Sequence, residues 1–590
     1  MSSASIPSPF CPLLILHFLA LYLGRDSTHS PPAVNHRPLP TCGNPPSVPF
    51  PTEAPVSRPL KMTLEAQSAA IAARFDYTDE QVNSAVNEFR RQMTEGLEKD
   101  GTSLSQIPTY VTGVPNGTEK GLYMAVDLGG TNFRVCSIQL NGDTTFNLTF
   151  SKVAIPRDLM VAKTAQELFA FLAKQIELFL QTHHEDHFEQ HVRRRMTMSS
   201  PDGYKDEHVF RLGFTFSFPV QQVGINKGTL IRWTKGFDIP DAIGKDVCAL
   251  LQDEIDKLHL PVKVAALVND TVGTLMARSY SSPGKTGTVL GAIFGTGTNG
   301  AYVEKLSNLK KPLSGEYDKT TGEMVINTEW GSFDNQLSVL PNTEWDVALD
   351  KASPNPGIQM YEKRVSGMFL GEILRLVTID LLKDPKVSFF KDENSSSNDW
   401  KSTTNIVSDS SIYTQWGLDT AIMSVAAADN TPELSTLRGE LEKQLGIYSA
   451  GLDDAQAFKA IANAIGRRSA RLSAVAIAAI VLQTGKLTDP ANADEPVDIG
   501  VDGSLVEHYP YFRDMIYEAL SAIDGIGEEG AKRIRIGIAK DGSGVGAALI
   551  ALVAAGMEKR LTTADYLGEL RSNAKSNNLT VVPEDEAARD

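Results

Sequence analysis

Two short stretches of this chain follow one plan. Tyr123 to Asp127 and Phe133 to Leu140 read as strands around the turn Gly129-Gly130-Thr131-Asn132. Gly287 to Phe294 and Ala301 to Lys305 read as strands around Gly295-Thr296-Gly297-Thr298-Asn299. Apolar runs bounded by glycine-rich turns are hairpin signals, and their recurrence suggests an internal duplication. Glycines let a backbone come close to an anion, while successive N–H groups and threonine hydroxyls donate to its oxygens. One such turn alone is equally a plain hairpin turn. Two opposed turns are what a protein needs to grip a polyphosphate from both sides, and Asp127 is placed to hold a hydrated cation there.

The rest of the chain supports two α/β lobes. Helices are predicted at about 162–181, 244–258, 358–383, 457–482 and 544–557, interleaved with strands. Ahead of the first strand, Thr78 and Gln81 form a capping box, and Val82, Val86, Phe89, Met93 and Leu97 follow at helical spacing until Gly101. Residues 391–411 read as a polar Ser/Asn/Asp-rich loop. A length of 590 residues suits more than one lobe with a cleft between them. Lys+Arg 56 against Asp+Glu 72 leaves a net charge of −16, which repels phosphate backbones and anionic membranes, so nucleic acid is not an expected partner. Cys11, Cys42, Cys136 and Cys248 are scattered, with no CxxC pair. Neither a disulfide framework nor a zinc site can be built from them, and the expected compartment is the cytoplasm.

Residues 1–60 differ from everything after them, carrying 13 of the 31 prolines and the apolar run Phe10 to Leu23. That run is 14 residues long, interrupted by Pro12 and His17, and shorter than the roughly 20 residues a membrane helix needs. No Lys or Arg precedes it, so a signal peptide lacks its charged n-region. No stable membrane insertion is expected. Of five N-x-S/T sequons (Asn116, Asn147, Asn269, Asn394 and Asn578), one adjoins Asp270, a candidate for the chemistry described next, which disfavours export. Met62 opens a new compositional regime, so residues 1–61 are expected to be a disordered or artefactual extension. The expected division is then 62–283, 284–560 and a tail, 561–590.

Asp270 follows the apolar run Val264 to Val268. A buried strand ending there delivers a carboxylate to the sheet edge, where it suits a base and equally the cap of a helix starting at Thr271. Asp502-Gly503-Ser504 and Asp541-Gly542-Ser543-Gly544 are Gly/Ser turns, the second leading into the small-residue helix Val545 to Gly556. Both are readable as anion sites at helix starts or as simple connections. His183, His187 and His191 recur every fourth residue and would line one helix face. Their neighbours are Glu, Asp and Gln without an HExxH pattern, so a solvated helix end is the better reading than a metal site.

Six blocks taken together carry a resemblance: DLGGTNFR (Asp127 to Arg134), LGFTFSFP (Leu212 to Pro219), RWTKGF (Arg232 to Phe237), VNDTVGT (Val268 to Thr274), GTGTNGAY (Gly295 to Tyr302) and NTEWGSF (Asn327 to Phe333). In this order they resemble the eukaryotic hexokinases of the actin-like ATPase superfamily, from about Tyr77 to Met557. The wording of TLIRWTKGF, GTGTNGAY and INTEWGSF is more similar to fungal glucokinases. The resemblance implies a two-lobed actin-like ATPase (ribonuclease H-like) α/β fold, with mixed sheets flanked by helices and a central cleft. It implies ATP-dependent phosphorylation of glucose or a related hexose at the 6-hydroxyl, the first step of glycolysis. A glucose-binding sensor on the same fold is the alternative, disfavoured because Asp127, Thr131, Arg134, Lys235 and Asp270 are all present. By the same resemblance Asp270 and Lys235 are catalytic, and Ser217, Thr234, Lys235, Asn269, Asp270, Asn299, Glu329, Gln359 and Glu362 meet the sugar. Asp127, Gly129, Gly130, Thr131, Asn132, Arg134, Lys152, Gly295, Thr296, Gly503, Ser504, Gly542 and Ser543 meet ATP. Mg²⁺ is carried by the nucleotide, held by Asp127 through water and by no direct protein ligand. Without the family, Lys235 is a solvated turn cation, Glu329 an exposed strand carboxylate, and Glu362 a favourable charge at a helix start.

Overall fold

The first Gly/Thr turn joins β2 (Lys120–Leu128) to β3 (Asn132–Asn141) in an antiparallel hairpin whose register sets Asp127 opposite Arg134 and Leu128 opposite Phe133. This geometry comes from a computed structural model that describes residues 63–130, 132–197, 209–285, 287–391, 403–489, 495–539 and 541–560. The expected extension 1–61, Thr131, most of the polar loop 391–411 and the tail 561–590 lie outside the described residues. With β4 (Phe146–Ala154), β5 (Phe210–Phe216) and β8 (Val262–Val268), the hairpin forms a sheet of order β4-β3-β2-β5-β8. Its β4-β3-β2 pairs are antiparallel and its β2-β5-β8 pairs parallel.

The second Gly/Thr turn joins β9 (Thr288–Phe294) to β10 (Thr298–Lys305), and the sheet around it repeats the first. With β1 (Ile107–Pro108), β11 (Glu323–Asn327), β14 (Val497–Asp502) and β15 (Ile534–Ile538), the order is β1-β11-β10-β9-β14-β15. β11-β10-β9 pair antiparallel and β9-β14-β15 parallel. Leaving β1 aside, the two sheets share strand order and direction, so the duplicated turn reflects a duplicated sheet. Two small ladders, β6 (Val220–Gly224) with β7 (Lys227–Leu230) and β12 (Asn405–Ile406) with β13 (Ile447–Tyr448), complete the strands.

Each sheet carries helices on its outer face. The first buries Met124, Val126, Phe133 and Val135 against the helices Ala165–His183 and Val247–Lys257. The second packs against Leu452–Thr484 and Gly367–Lys383. Between the sheets lie two helices that exchange places. Asp270–Ser281 leaves β8 of the first sheet and packs on the second, where Arg278 makes a two-pronged ion pair with the buried Asp498 of β14 at 2.6 and 2.9 Å. Gly542–Arg560 leaves β15 of the second sheet and packs on the first, sharing a core with Ala125, Cys136, Ala266 and Val268. It is long and apolar enough to cross a membrane, but its middle is sandwiched between the sheets and it is a core helix. The two helices cross backbone to backbone at Gly273, Gly542 and Gly546.

Two expectations are revised, and one helix takes a place that its sequence position does not indicate. The predicted helix at 358–383 is two, Glu362–Val365 and Gly367–Lys383, because Ser366 is extended (ψ 149°). That break frees the amides of Gly367 and Met368 to donate to the carbonyls of Gly295 and Thr296 at 2.7 and 3.1 Å, fastening the second Gly/Thr turn. The capping-box helix, Asp79–Glu98, belongs to the second lobe, where Phe89 packs on Trp330, Phe333 and Tyr361. Sequence halves and lobes therefore do not coincide. The His183/His187/His191 face is interrupted, since one helix ends at His183 and the next begins at Glu185. The rings of His183 and His187 pack on Phe179 and Phe210, and the His191 side chain lies outside the described residues.

Candidate active site

The fully buried end of β8 carries Asn269 and Asp270 to the seam between the lobes. The helix cap is Asn269, whose Oδ1 accepts from the Thr271 amide at 3.0 Å, so the capping role considered for Asp270 goes to its neighbour. Asp270 is the first helical residue and accepts from the same amide at 2.8 Å. Burial raises its carboxyl above the usual range, opposed by that amide and by the charge of Lys235.

Lys235 sits in a left-handed turn (φ 57°). A cluster of Phe216, Phe218, Trp233 and Phe237 supports the turn, with Trp233 and Phe237 stacked at 5.3 Å. Its Nζ donates to the Ser217 carbonyl at 2.9 Å and lies 5.5 Å above the Phe218 ring, while its stem packs against Gly130. The cation is exposed but aimed by these contacts, and its field reaches both Asp127 and Asp270. Thr234 is half-buried and its carbonyl closes the turn by accepting from the Phe237 amide at 3.1 Å.

The second lobe supplies a hydrogen-bonded set of amides and carboxylates. Asn299 Nδ2 donates to Asn327 Oδ1 at 2.8 Å and to Glu329 Oε1 at 3.3 Å, and Asn327 Nδ2 donates to the same Glu329 oxygen at 2.8 Å. Glu329 is held in a left-handed conformation (φ 52°), is half-buried rather than exposed, and is pushed up by desolvation and by Asp270. Glu362 accepts from the Thr298 amide at 3.2 Å, and burial and Glu329 push it up as well. Gln359, also left-handed (φ 59°), packs its Oε1 against Gly331. Asp270, Glu329 and Glu362 thus form a chain of half-buried carboxylates, each sensing the next.

On the opposite side, Gly129 donates its amide to the Asn132 carbonyl at 3.3 Å, closing the first turn beside Gly130. Asp127 is raised chiefly by burial and by Asp270, and is lowered by a hydrogen bond from Ser543. Arg134 makes a two-pronged pair with Asp541, and Lys152 stands opposite Arg134 on β4, exposed. Gly295 closes the second turn by donating to Gly297 at 3.0 Å and lies against Gly503, whose φ of 112° no side chain would share comfortably. Thr296 and Ser504 line a cavity of about 490 Å³ with Met368, Trp416, Thr420 and His508. Gly542 and Ser543 sit apart from that cavity, where Thr215 Oγ1 donates to the Ser543 carbonyl at 2.9 Å.

Two family models, both described as Hexokinase, match residues 67–280 and 289–553. The chain belongs to the hexokinase family. It is 61% identical to the glucokinase of Aspergillus niger, over 85% of this chain and 99% of that one. It is 41% identical to glucokinase-1 of Saccharomyces cerevisiae, over 81% and 95%. Among solved structures, the hexokinase of Schistosoma mansoni complexed with glucose is 32% identical with a TM-score of 0.63, covering 83% of this chain and 98% of that one. A second hexokinase crystal structure is 28% identical with a TM-score of 0.68, covering 83% and 99%.

In this hexokinase Lys235, Asp270, Glu329 and Glu362 lie within one another's fields, and Asn299, Asn327 and Thr298 are hydrogen-bonded to that set. Asn327 and Thr298 lie inside recognised blocks, and their polar character among apolar strand residues was the available signal. Met368, Trp416 and Thr420 had none, because they meet Thr296 and Ser504 through tertiary folding alone.

Proposed function

We propose that this hexokinase transfers the γ-phosphoryl group of ATP to the 6-hydroxyl of glucose, with Asp270 as the proton acceptor. The observation that carries the assignment is a half-buried carboxylate at the end of β8, sensing Lys235 on one side and the sugar-side set on the other. A hydroxyl becomes a competent nucleophile when its proton is taken as the new bond forms, and a carboxylate raised by burial is the stronger acceptor. Asn269, Asn299, Glu329, Gln359 and Glu362 offer the mixture of donors and acceptors that sugar hydroxyls need, with Ser217 and Thr234 closing the far side. Lys235 supplies positive charge where it develops on the transferring group.

The nucleotide fits the groups present: the close backbone approach that the turn glycines Gly129, Gly130 and Gly295 allow, the cations Arg134 and Lys152, and a cavity at Thr296 and Ser504 of the size of small-ligand sites. Mg²⁺ bound to the nucleotide neutralises phosphate charge and normally keeps several waters. In this reading the cation arrives with the nucleotide, and Asp127 would contact it through water. In this proposal residues 62–283 bring the first phosphate turn and the base, and 284–560 the second turn, the sugar carboxylates and the adenosine side. The enzyme works in the cytoplasm, since a glycan on Asn269 would obstruct the site beside Asp270. Replacing Asp270 with Ala is expected to lower kcat by about 10²- to 10⁴-fold with a much smaller change in glucose affinity. Near-normal turnover would remove Asp270 from the mechanism.

A further inference from the structure

Arg134, on β3, pairs with Asp541 at the start of the helix Gly542–Arg560. Its Nη1 and Nη2 donate to Asp541 Oδ1 and Oδ2, each at 2.6 Å, and both side chains are about four-fifths buried. Its guanidinium carbon lies 4.7 Å from the centre of the Phe150 ring, which remains more than half exposed. The guanidinium is thus gripped at its end and supported on one face. Its third nitrogen, Nε, is buried with no acceptor in the described structure.

A guanidinium has two edges that can make paired hydrogen bonds, one formed by the two Nη atoms and one by Nε with the neighbouring Nη. Asp541 occupies the first. A buried donor left without an acceptor is costly, so the second edge is a place prepared for an anion. Asp541 is itself held, in a left-handed conformation (φ 58°) with Oδ1 accepting from the Gly544 amide at 3.2 Å. In the duplicated plan it stands after β15 where Asp270 stands after β8, each carboxylate at the start of an exchanged helix.

We propose that Asp541 is a positioning residue for nucleotide binding: by taking both Nη atoms of Arg134, it turns the Nε edge of that guanidinium toward the phosphate oxygens. The carboxylate acts through Arg134 and not on the reacting atoms. It lowers the formal charge at the turn while fixing direction, trading long-range attraction for geometry. The inference rests on the assignment of Arg134 to the nucleotide.

The test is a double-mutant cycle on the full chain with Arg134→Lys and Asp541→Asn, read by calorimetric titration of ADP in saturating glucose and by steady-state kinetics. Each single change is expected to weaken ADP and raise KM for ATP by about tenfold, the size of one charge-assisted hydrogen bond, with KM for glucose within about twofold. In the Arg134→Lys background, Asp541→Asn should cost less than about twofold more. Asp541→Glu, which keeps the carboxylate, should recover part of the loss. If Arg134→Lys leaves ADP binding unchanged, the assignment of Arg134 to the nucleotide fails. If Arg134→Lys weakens ADP while Asp541→Asn does not, or tightens it, the positioning role is overturned. Independent, additive losses would reduce Asp541 to a structural residue.

Discussion

Asp346 shows how much one buried charge can hold. It accepts from Arg468 Nη1 and Nη2 at 2.7 and 2.8 Å and from the Thr343 amide at 2.8 Å, with Arg364 close enough to add its field. These partners outweigh burial and hold its carboxyl down at about 2. A folded-state value below that of the unfolded chain stabilises the fold above the unfolded value, and that stability is lost as pH falls from about 4 through about 2. Asp346→Asn removes the charge and leaves Arg468 unpaired in the core, a change expected to cost about 3–5 kcal/mol. A lowered thermal midpoint at neutral pH, with the difference from wild type shrinking as pH approaches 2, would check both parts. Single residues were unevenly legible. The placement of Asp270 after a buried strand was readable from the apolar run before it, whereas the left-handed turn at Glu329 was not. The Arg134–Asp541 pair left no trace, because no spacing rule relates residues 407 positions apart.

Elements were legible where period and caps agreed. Asp79–Glu98 starts at the predicted capping box, and the predicted helices near 162, 244 and 457 are present. The interruption at Ser366 was hidden, since serine is no helix breaker and the bonds that pull the chain out of the helix come from the distant turn at Gly295. The crossing of the exchanged helices was equally invisible, although its glycines stand in the sequence. A Cβ at Gly546 would stand 2.1 Å from the Gly273 carbonyl oxygen, a contact relieved only by separating the helices. Gly546→Ala is therefore expected to destabilise by at least about 1–3 kcal/mol and to reduce turnover by shifting Asp270 and Asp541 apart. Gly556→Ala, on the same helix, meets only the flexible Arg560 side chain at 3.4 Å and should be neutral or stabilising by up to about 1 kcal/mol. Equal losses at the two positions, measured by denaturant midpoint and kcat, would contradict the crossing.

At the scale of the whole molecule, duplication was legible from two turns, but the assignment of segments to lobes was not. The first helices of the described chain cover the second sheet, and the final described helix covers the first. A cleft whose two walls are joined by exchanged helices suits closure driven by sugar, which would keep water from competing for the phosphoryl group. A pentose that closes the cleft but lacks the 6-hydroxymethyl should then raise ATP hydrolysis above the sugar-free rate. Absence of stimulation at saturating pentose would count against closure as the gate. The exchange also has a consequence for how the enzyme is made. A chain leaving the ribosome presents β2, β5 and β8 long before residues 542–560 exist to cover them. At the usual pace of about 5–20 residues per second, that apolar face waits bare for on the order of tens of seconds. The first lobe is the earlier one to be synthesised, yet much of its inner face is sealed by the last described residues, so release of a stable nascent lobe ahead of chain completion is closed to this fold.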